Sequence, residues 1–251
     1  MSFPAQNPIK RLLHEMPRGT PFGIEELARH GADARLASFY ARSGWLVRLG
    51  QGVYALPGDE ISALAAARLL QSRVEGLHVG GKSALALRGI RHNLPVREVL
   101  VLWADHRFAL PRWFSDRYPS RAVSARLFDP LDADLERATV STPPGVLEGL
   151  RVSSPERAAL ELLHEVGVHE TLEEARAVFE GLRNPRTEVV GGLLSKCNSV
   201  KAVRLFLAWS RETGAVDVDR LRARFELRVG SSSRWVSRMS DGTLLQLKPY
   251  G

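Results

Sequence analysis

The chain has 251 residues with 35 basic against 28 acidic side chains, a formal net charge of +7, and a 44% hydrophobic content. That is enough apolar material for one large or two to three small globular domains. No apolar run reaches the roughly 20 residues that span a bilayer, the first residues lack the basic-then-apolar pattern of a signal peptide, and a single cysteine, Cys197, excludes an internal disulfide and a cysteine-based zinc site. The expected location is cytoplasmic, with no membrane partner.

In chain order, Asn7 and Pro8 open a predicted helix to Met16, with Ile9, Leu12, Leu13 and Met16 on one side and Lys10 and Arg11 on the polar side. Pro17–Pro21 breaks it. Ile24–His30 reads as a short amphipathic helix closed by Gly31. Asp33 can cap a second helix, Ala34–Arg42. Leu36, Phe39 and Tyr40 are predicted to share its apolar face, and Arg35, Ser38 and Arg42 its polar face. Trp45–Leu49 and Val53–Leu56 flank Gly50-Gln51-Gly52 as a β-hairpin. Helix, tight turn, helix and hairpin form the order of a winged helix-turn-helix, whose second helix fits a major groove. The expected DNA contacts are Arg35, Ser38 and Arg42 in the groove, Arg48 and Gln51 at the wing, and Lys10 and Arg11 on phosphate.

Pro57–Glu60 reads as a boundary, dividing a winged domain at 1–57 from a larger C-terminal domain at 58–251, with a sub-boundary near 153. In the second part, helices are expected over Ile61–Arg73 and Lys82–Arg88. Strands are expected over Glu98–Ala104 and Arg121–Phe128, with weaker candidates at Arg137–Thr142 and Gly149–Val152. Ser153-Ser154-Pro155-Glu156 and Thr171-Leu172-Glu173-Glu174 are helix starts. Lys201–Glu212 and Val218–Phe225 continue a helical section, and Trp235–Met239 and Leu244–Lys248 flank Asp241-Gly242 as a closing hairpin. The fold class is α+β.

The charge is uneven. Residues 1–57 carry seven basic against four acidic groups, and 219–251 seven against three, while 58–218 are balanced. A basic end on a neutral protein fits a polyanion partner.

Gly76-Leu77-His78-Val79-Gly80-Gly81-Lys82-Ser83 matches the G-x-x-x-x-G-K-[ST] pattern of a phosphate-binding loop. Its context argues against that role, because the apolar run falls inside the would-be loop instead of before it. The expected reading is a turn at Gly80-Gly81 followed by a packing helix. The histidines form no H-x-x-x-H pair, and Asp129, Asp132, Asp134 and Glu136 read as a solvated loop. No cofactor, metal or catalytic residue is expected. The alternatives are a nucleotide-binding or nuclease enzyme, or a winged helix that binds protein.

Three stretches resemble the AbiEi family, the antitoxin and transcriptional-regulator component of type IV toxin–antitoxin systems: Gly44–Tyr54 (G-W-L-V-R-L-G-Q-G-V-Y), His78–Gly89 (H-V-G-G-K-S-A-L-A-L-R-G) and Val152–Leu163 (V-S-S-P-E-R-A-A-L-E-L-L). Glu161 stands where the family's pattern suggests aspartate. The resemblance implies a winged-helix repressor that binds promoter repeats of its own operon, with self-association on those repeats. It also implies a C-terminal domain that counters a nucleotidyltransferase-like toxin.

Overall fold

A computed structural model describes residues 8–92, 98–231, 233–238, 242 and 244–247. The proposed cap Asn7, and Met239, Asp241 and Lys248 of the closing hairpin, lie outside them. The chain forms two compact units. One runs up to Glu75 and takes in Ala109–Pro119; the other comprises Gly76–Phe108 and the chain from Ser120 onward.

The first unit begins with α1 (Pro8–Glu15), which buries Ile9 and Leu12. Strand β1 (Phe22–Gly23) leads directly into α2 (Ile24–Arg29). Gly31 turns the chain at φ +84°, a left-handed geometry that strains any residue with a Cβ, and Ala32 donates back to the Leu27 carbonyl at 2.9 Å. Asp33 then caps α3 (Ala34–Arg42), accepting from the Leu36 amide at 2.7 Å. Both helices fall where their spacing predicts.

Strands β2 (Val47–Gly50) and β3 (Val53–Ala55) form the hairpin. β1 pairs antiparallel with β3, Phe22 opposite Tyr54, giving a three-stranded sheet in the order β1-β3-β2. Leu12, Leu27, Ala37, Tyr40 and Leu56 meet in one core. His30 closes the unit from outside, its Nε2 3.1 Å from Glu15 and its Nδ1 2.8 Å from the Glu26 carbonyl. Asp59 is held by the Arg18 guanidinium at 2.8 Å and by the Gly19 amide at 2.9 Å. Ser62 caps α4 (Ala63–Gln71).

The second unit opens with β4 (His78–Val79), α5 (Gly81–Leu87) and β5 (Leu100–Ala104). The chain then returns to the first unit as α6 (Arg112–Ser115), an element its sequence did not announce. There Trp113 packs on the wing so closely that a Cβ at Gly50 would lie 2.6 Å from its ring, and Arg117 donates to the Leu49 carbonyl at 3.3 Å. In the second unit β6 (Ser120–Ser124), α7 (Ala133–Thr139), β7 (Val140–Ser141) and β8 (Val152–Ser153) follow. The sheet order is β6-β5-β4-β8-β7, with β5/β6 and β4/β8 parallel and the other pairs antiparallel.

The helical section holds α8 (Pro155–Glu165), α9 (Leu172–Glu180), α10 (Thr187–Lys196), α11 (Val200–Thr213) and α12 (Val218–Arg224). Ser154 caps α8 with Pro155 at its first position, and α8 packs against α5 and α11. α10 escaped the sequence reading because Gly191-Gly192 lies inside it. That pair is a packing device: a Cβ at Gly191 would sit 2.3 Å from the Phe225 ring. Strands β9 (Trp235–Arg238) and β10 (Leu244–Leu247) pair antiparallel, and Leu245 is buried. The α+β class, the N-terminal winged helix, the helical section and the closing hairpin are all present.

Candidate nucleic-acid interface

The candidate surface is built on α3. Helical geometry places successive residues 100° apart, so burying Leu36, Ala37, Tyr40 and Ala41 turns Arg35, Ser38, Phe39 and Arg42 outward together. Ala37 and Tyr40 are in the core, with Leu36 and Ala41 packed against it. One expectation is corrected: Phe39 does not join the apolar face but is 53% exposed. With Ala37 and Tyr40 in the core, the helix period turns Phe39 onto the polar stripe.

Arg35 and Arg42 are exposed, and no carboxylate pairs with either among the described residues. The Ser38 hydroxyl donates to the Ala34 carbonyl at 2.9 Å, which leaves its oxygen able to accept. On the wing, Arg48 is exposed and its Nε donates to the Gly50 carbonyl at 3.3 Å, while Gln51 occupies the exposed tip. Lys10 and Arg11 lie on the side of α1 opposite Ile9 and Leu12, also exposed. The fold therefore joins Arg35, Ser38 and Arg42 on one stripe. The wing and α1 residues sit on separate elements of the same unit.

The contrast with three other arginines of this unit is informative. Arg18 pairs with Asp59, Arg29 with Glu26, and Arg73 with Glu25 at 3.6 Å. Three arginines of the C-terminal basic stretch are likewise engaged. Arg224 pairs with Glu188, Arg228 bridges Asp129 at 2.6 Å and Asn198 at 2.8 Å, and Arg234 reaches Gln246. The side chain of Arg238 lies outside the described residues.

The phosphate-loop pattern has its own structural account. Gly80 and Gly81 do open a helix, but the space at that helix end is filled by a carboxylate of the same chain. Glu161, fully buried, accepts from the Gly81 amide at 2.8 Å. It also binds His78 Nε2 at 2.9 Å, the Ser153 hydroxyl at 2.9 Å and Arg157 Nε at 3.0 Å. Burial pushes its pKa up, but His78, Arg157 and the Gly81 amide outweigh that and hold it below the ordinary value.

Lys82 pairs with Glu174, and the Ser83 hydroxyl donates to the Val99 carbonyl at 3.0 Å while accepting from the Val101 amide at 2.9 Å. The groups a nucleotide phosphate would use are occupied by the protein itself. The V-S-S-P-E-R-A-A-L-E segment supplies three of the hub's members, Ser153, Arg157 and Glu161. The glutamate that stands where aspartate was expected reaches all four donors.

The acidic cluster is also structural. It is not the loop its sequence suggests: Asp132 caps α7 through the Asp134 and Leu135 amides, and Asp129 pairs with Arg228. A cavity of about 310 Å³ in the second unit is lined by Trp103, Asp105, Phe128, Asp129 and Arg157. Two of its charged groups, Asp129 and Arg157, are already in ion pairs. Cys197 is buried, and burial raises its thiol to about 11, which makes it inert at neutral pH.

A family model described as the transcriptional regulator AbiEi antitoxin N-terminal domain matches residues 5–96. A second, described as transcriptional regulator, AbiEi antitoxin, type IV TA system, matches residues 97–247. The chain belongs to the AbiEi family. It is thus a transcriptional regulator of the type IV toxin–antitoxin antitoxin class. The fold is shared with the crystal structure of RV2827C protein from Mycobacterium tuberculosis, at 18% identity and a TM-score of 0.59 over 94% of this chain and 90% of that one. Comparison with curated proteins gives no match. Within this AbiEi chain no helix among the described residues is long and apolar enough to cross a membrane.

Proposed function

We propose that this AbiEi chain is a sequence-specific repressor that binds promoter DNA of its own operon and acts without enzymatic activity as the antitoxin to a nucleotidyltransferase-like toxin. Its α3 enters the major groove with Arg35, Ser38 and Arg42 facing base edges. Arg48 and Gln51 hold the flanking backbone from the wing, and Lys10 and Arg11 add phosphate contacts from α1. Two copies occupy promoter repeats.

The observation that carries this reading is the outer stripe of α3. Its two arginines have no carboxylate partner among the described residues, whereas Arg18, Arg29 and Arg73 of the same unit are ion-paired. Cations held free on a capped recognition helix suit a polyanion.

The test is a salt titration of binding to the duplex just upstream of the gene, against a scrambled duplex. The expected result is preference for the native duplex and a log–log slope of about −3 per bound copy, from roughly 0.9 counterions for each of the phosphate-facing cations Arg48, Lys10 and Arg11. Binding that hardly changes with salt would replace DNA by a protein partner.

A further inference from the structure

We propose that Phe39 is a specificity residue of α3, reading the C5-methyl group of a thymine in the major groove; this rests on the DNA-binding reading above. Phe39 leaves 53% of its surface in solvent on a helix whose other large apolar side chains, Leu36 and Tyr40, are in or against the core. A single exposed apolar residue is ordinary on a protein surface. Its company sets this one apart. Arg35 precedes it by four residues and Arg42 follows by three, so all three share one stripe, and neither arginine has a carboxylate partner among the described residues.

That charge favours a polyanion over an apolar protein face. On the base edges of the major groove the apolar group on offer is the thymine methyl, while the arginines match guanine or phosphate. An aromatic ring set between arginines is complementary to a groove in which thymine neighbours such sites. The ring is also braced: Phe39 and Tyr40 have centroids 6.0 Å apart, and Tyr40 is buried. Less freedom is then lost when the contact forms.

The experiment uses the full chain and the duplex upstream of its gene, made once with thymidine and once with deoxyuridine throughout, which deletes every C5-methyl. The wild type is expected to bind the uracil duplex about fourfold more weakly, the effect of one buried methyl. Phe39→Ala is expected to bind the thymine duplex more weakly by a similar factor and to lose nothing further on uracil. Phe39→Leu is expected to keep most of the discrimination. Uracil also alters duplex shape, so the difference between wild type and Phe39→Ala is the readout.

Equal discrimination by both proteins would overturn the proposal. So would a wild type indifferent to uracil, and if that protein still preferred the native duplex in a salt-steep manner, the DNA-binding reading would stand without Phe39. No preference for the native over the scrambled duplex would instead sink the DNA-binding reading. A Phe39→Ala protein with unchanged discrimination but weaker self-association in sedimentation would make the ring a contact between copies and overturn the proposal.

Discussion

The outer stripe of α3 and the N-terminus of α5 both present a sequence that suggests binding to phosphate. They differ in what the rest of the fold does with their polar groups. On α3, Arg35 and Arg42 face solvent with no carboxylate partner among the described residues. At α5, the Gly81 amide, Lys82 and Ser83 are all engaged by Glu161, Glu174, Val99 and Val101. A motif keeps its binding meaning only if its donors are left over after folding, and the same residue types become scaffold when they are not.

The largest expected effect breaks the second half of this contrast. Glu161→Ala strips the counter-charge from buried His78 and Arg157, and should lower the unfolding free energy by about 3–5 kcal/mol, the range for a broken buried ion pair. Urea unfolding followed by circular dichroism reads this. A loss below 1 kcal/mol would mean the hub is not structural.

Next is the neighbouring Glu156, whose carboxylate binds Arg186 Nη2 at 2.8 Å and its backbone amide at 3.0 Å. Burial raises its pKa, but the Arg186 bonds win and lower it from 4.5 to about 2. A depressed carboxylate stabilises the fold above its unfolded value and loses that contribution as pH falls through its folded value. The wild type should therefore lose stability between about pH 4.5 and 2, and Glu156→Gln should flatten that limb. At neutral pH the variant should be weaker by about 1.5–3 kcal/mol, as for hydrogen bonds to charged groups. An unchanged acid limb would contradict the assignment.

Arg42→Glu sharpens the first half. It should weaken binding to the native duplex by about 1–3 kcal/mol and leave urea stability untouched, and an unchanged binding isotherm would move base reading off α3. The smallest effect belongs to Lys82→Ala. Its ion pair is partly exposed, so stability should drop by no more than about 1 kcal/mol and DNA affinity should stay level. Loss of an ATP-dependent property in this variant would revive a nucleotide-binding role.

Much of this was legible in the chain because the signals were local. Asp33, Ser154 and Thr171 cap helices where the capping chemistry predicts, and Gly31 and Gly52 take the positive φ of tight turns. What stayed hidden depends on partners far along the chain. Gly191-Gly192 looks like a helix breaker until the Phe225 ring is placed against it. Phe39 looks like core until Ala37 is seen to take the core position. The meaning of Gly80-Gly81-Lys82-Ser83 was set by Glu161, 80 residues after the amide it accepts from. On α3, helix period placed Arg35, Ser38 and Arg42 on one outer stripe, but no local signal tells an arginine left unpaired among the described residues from a paired one such as Arg18.

The wing's support by α6 has a consequence for synthesis. Leu49 must wait for Arg117, 68 positions later in the chain, to accept its hydrogen bond. At about 5–20 residues per second this is a delay of roughly 3 to 14 seconds on the ribosome. A nascent or truncated product ending before α6 holds α3 and the hairpin but not the brace of its wing. The brace of the wing therefore trails translation, and a prematurely terminated message yields a fragment whose hairpin stands unsupported.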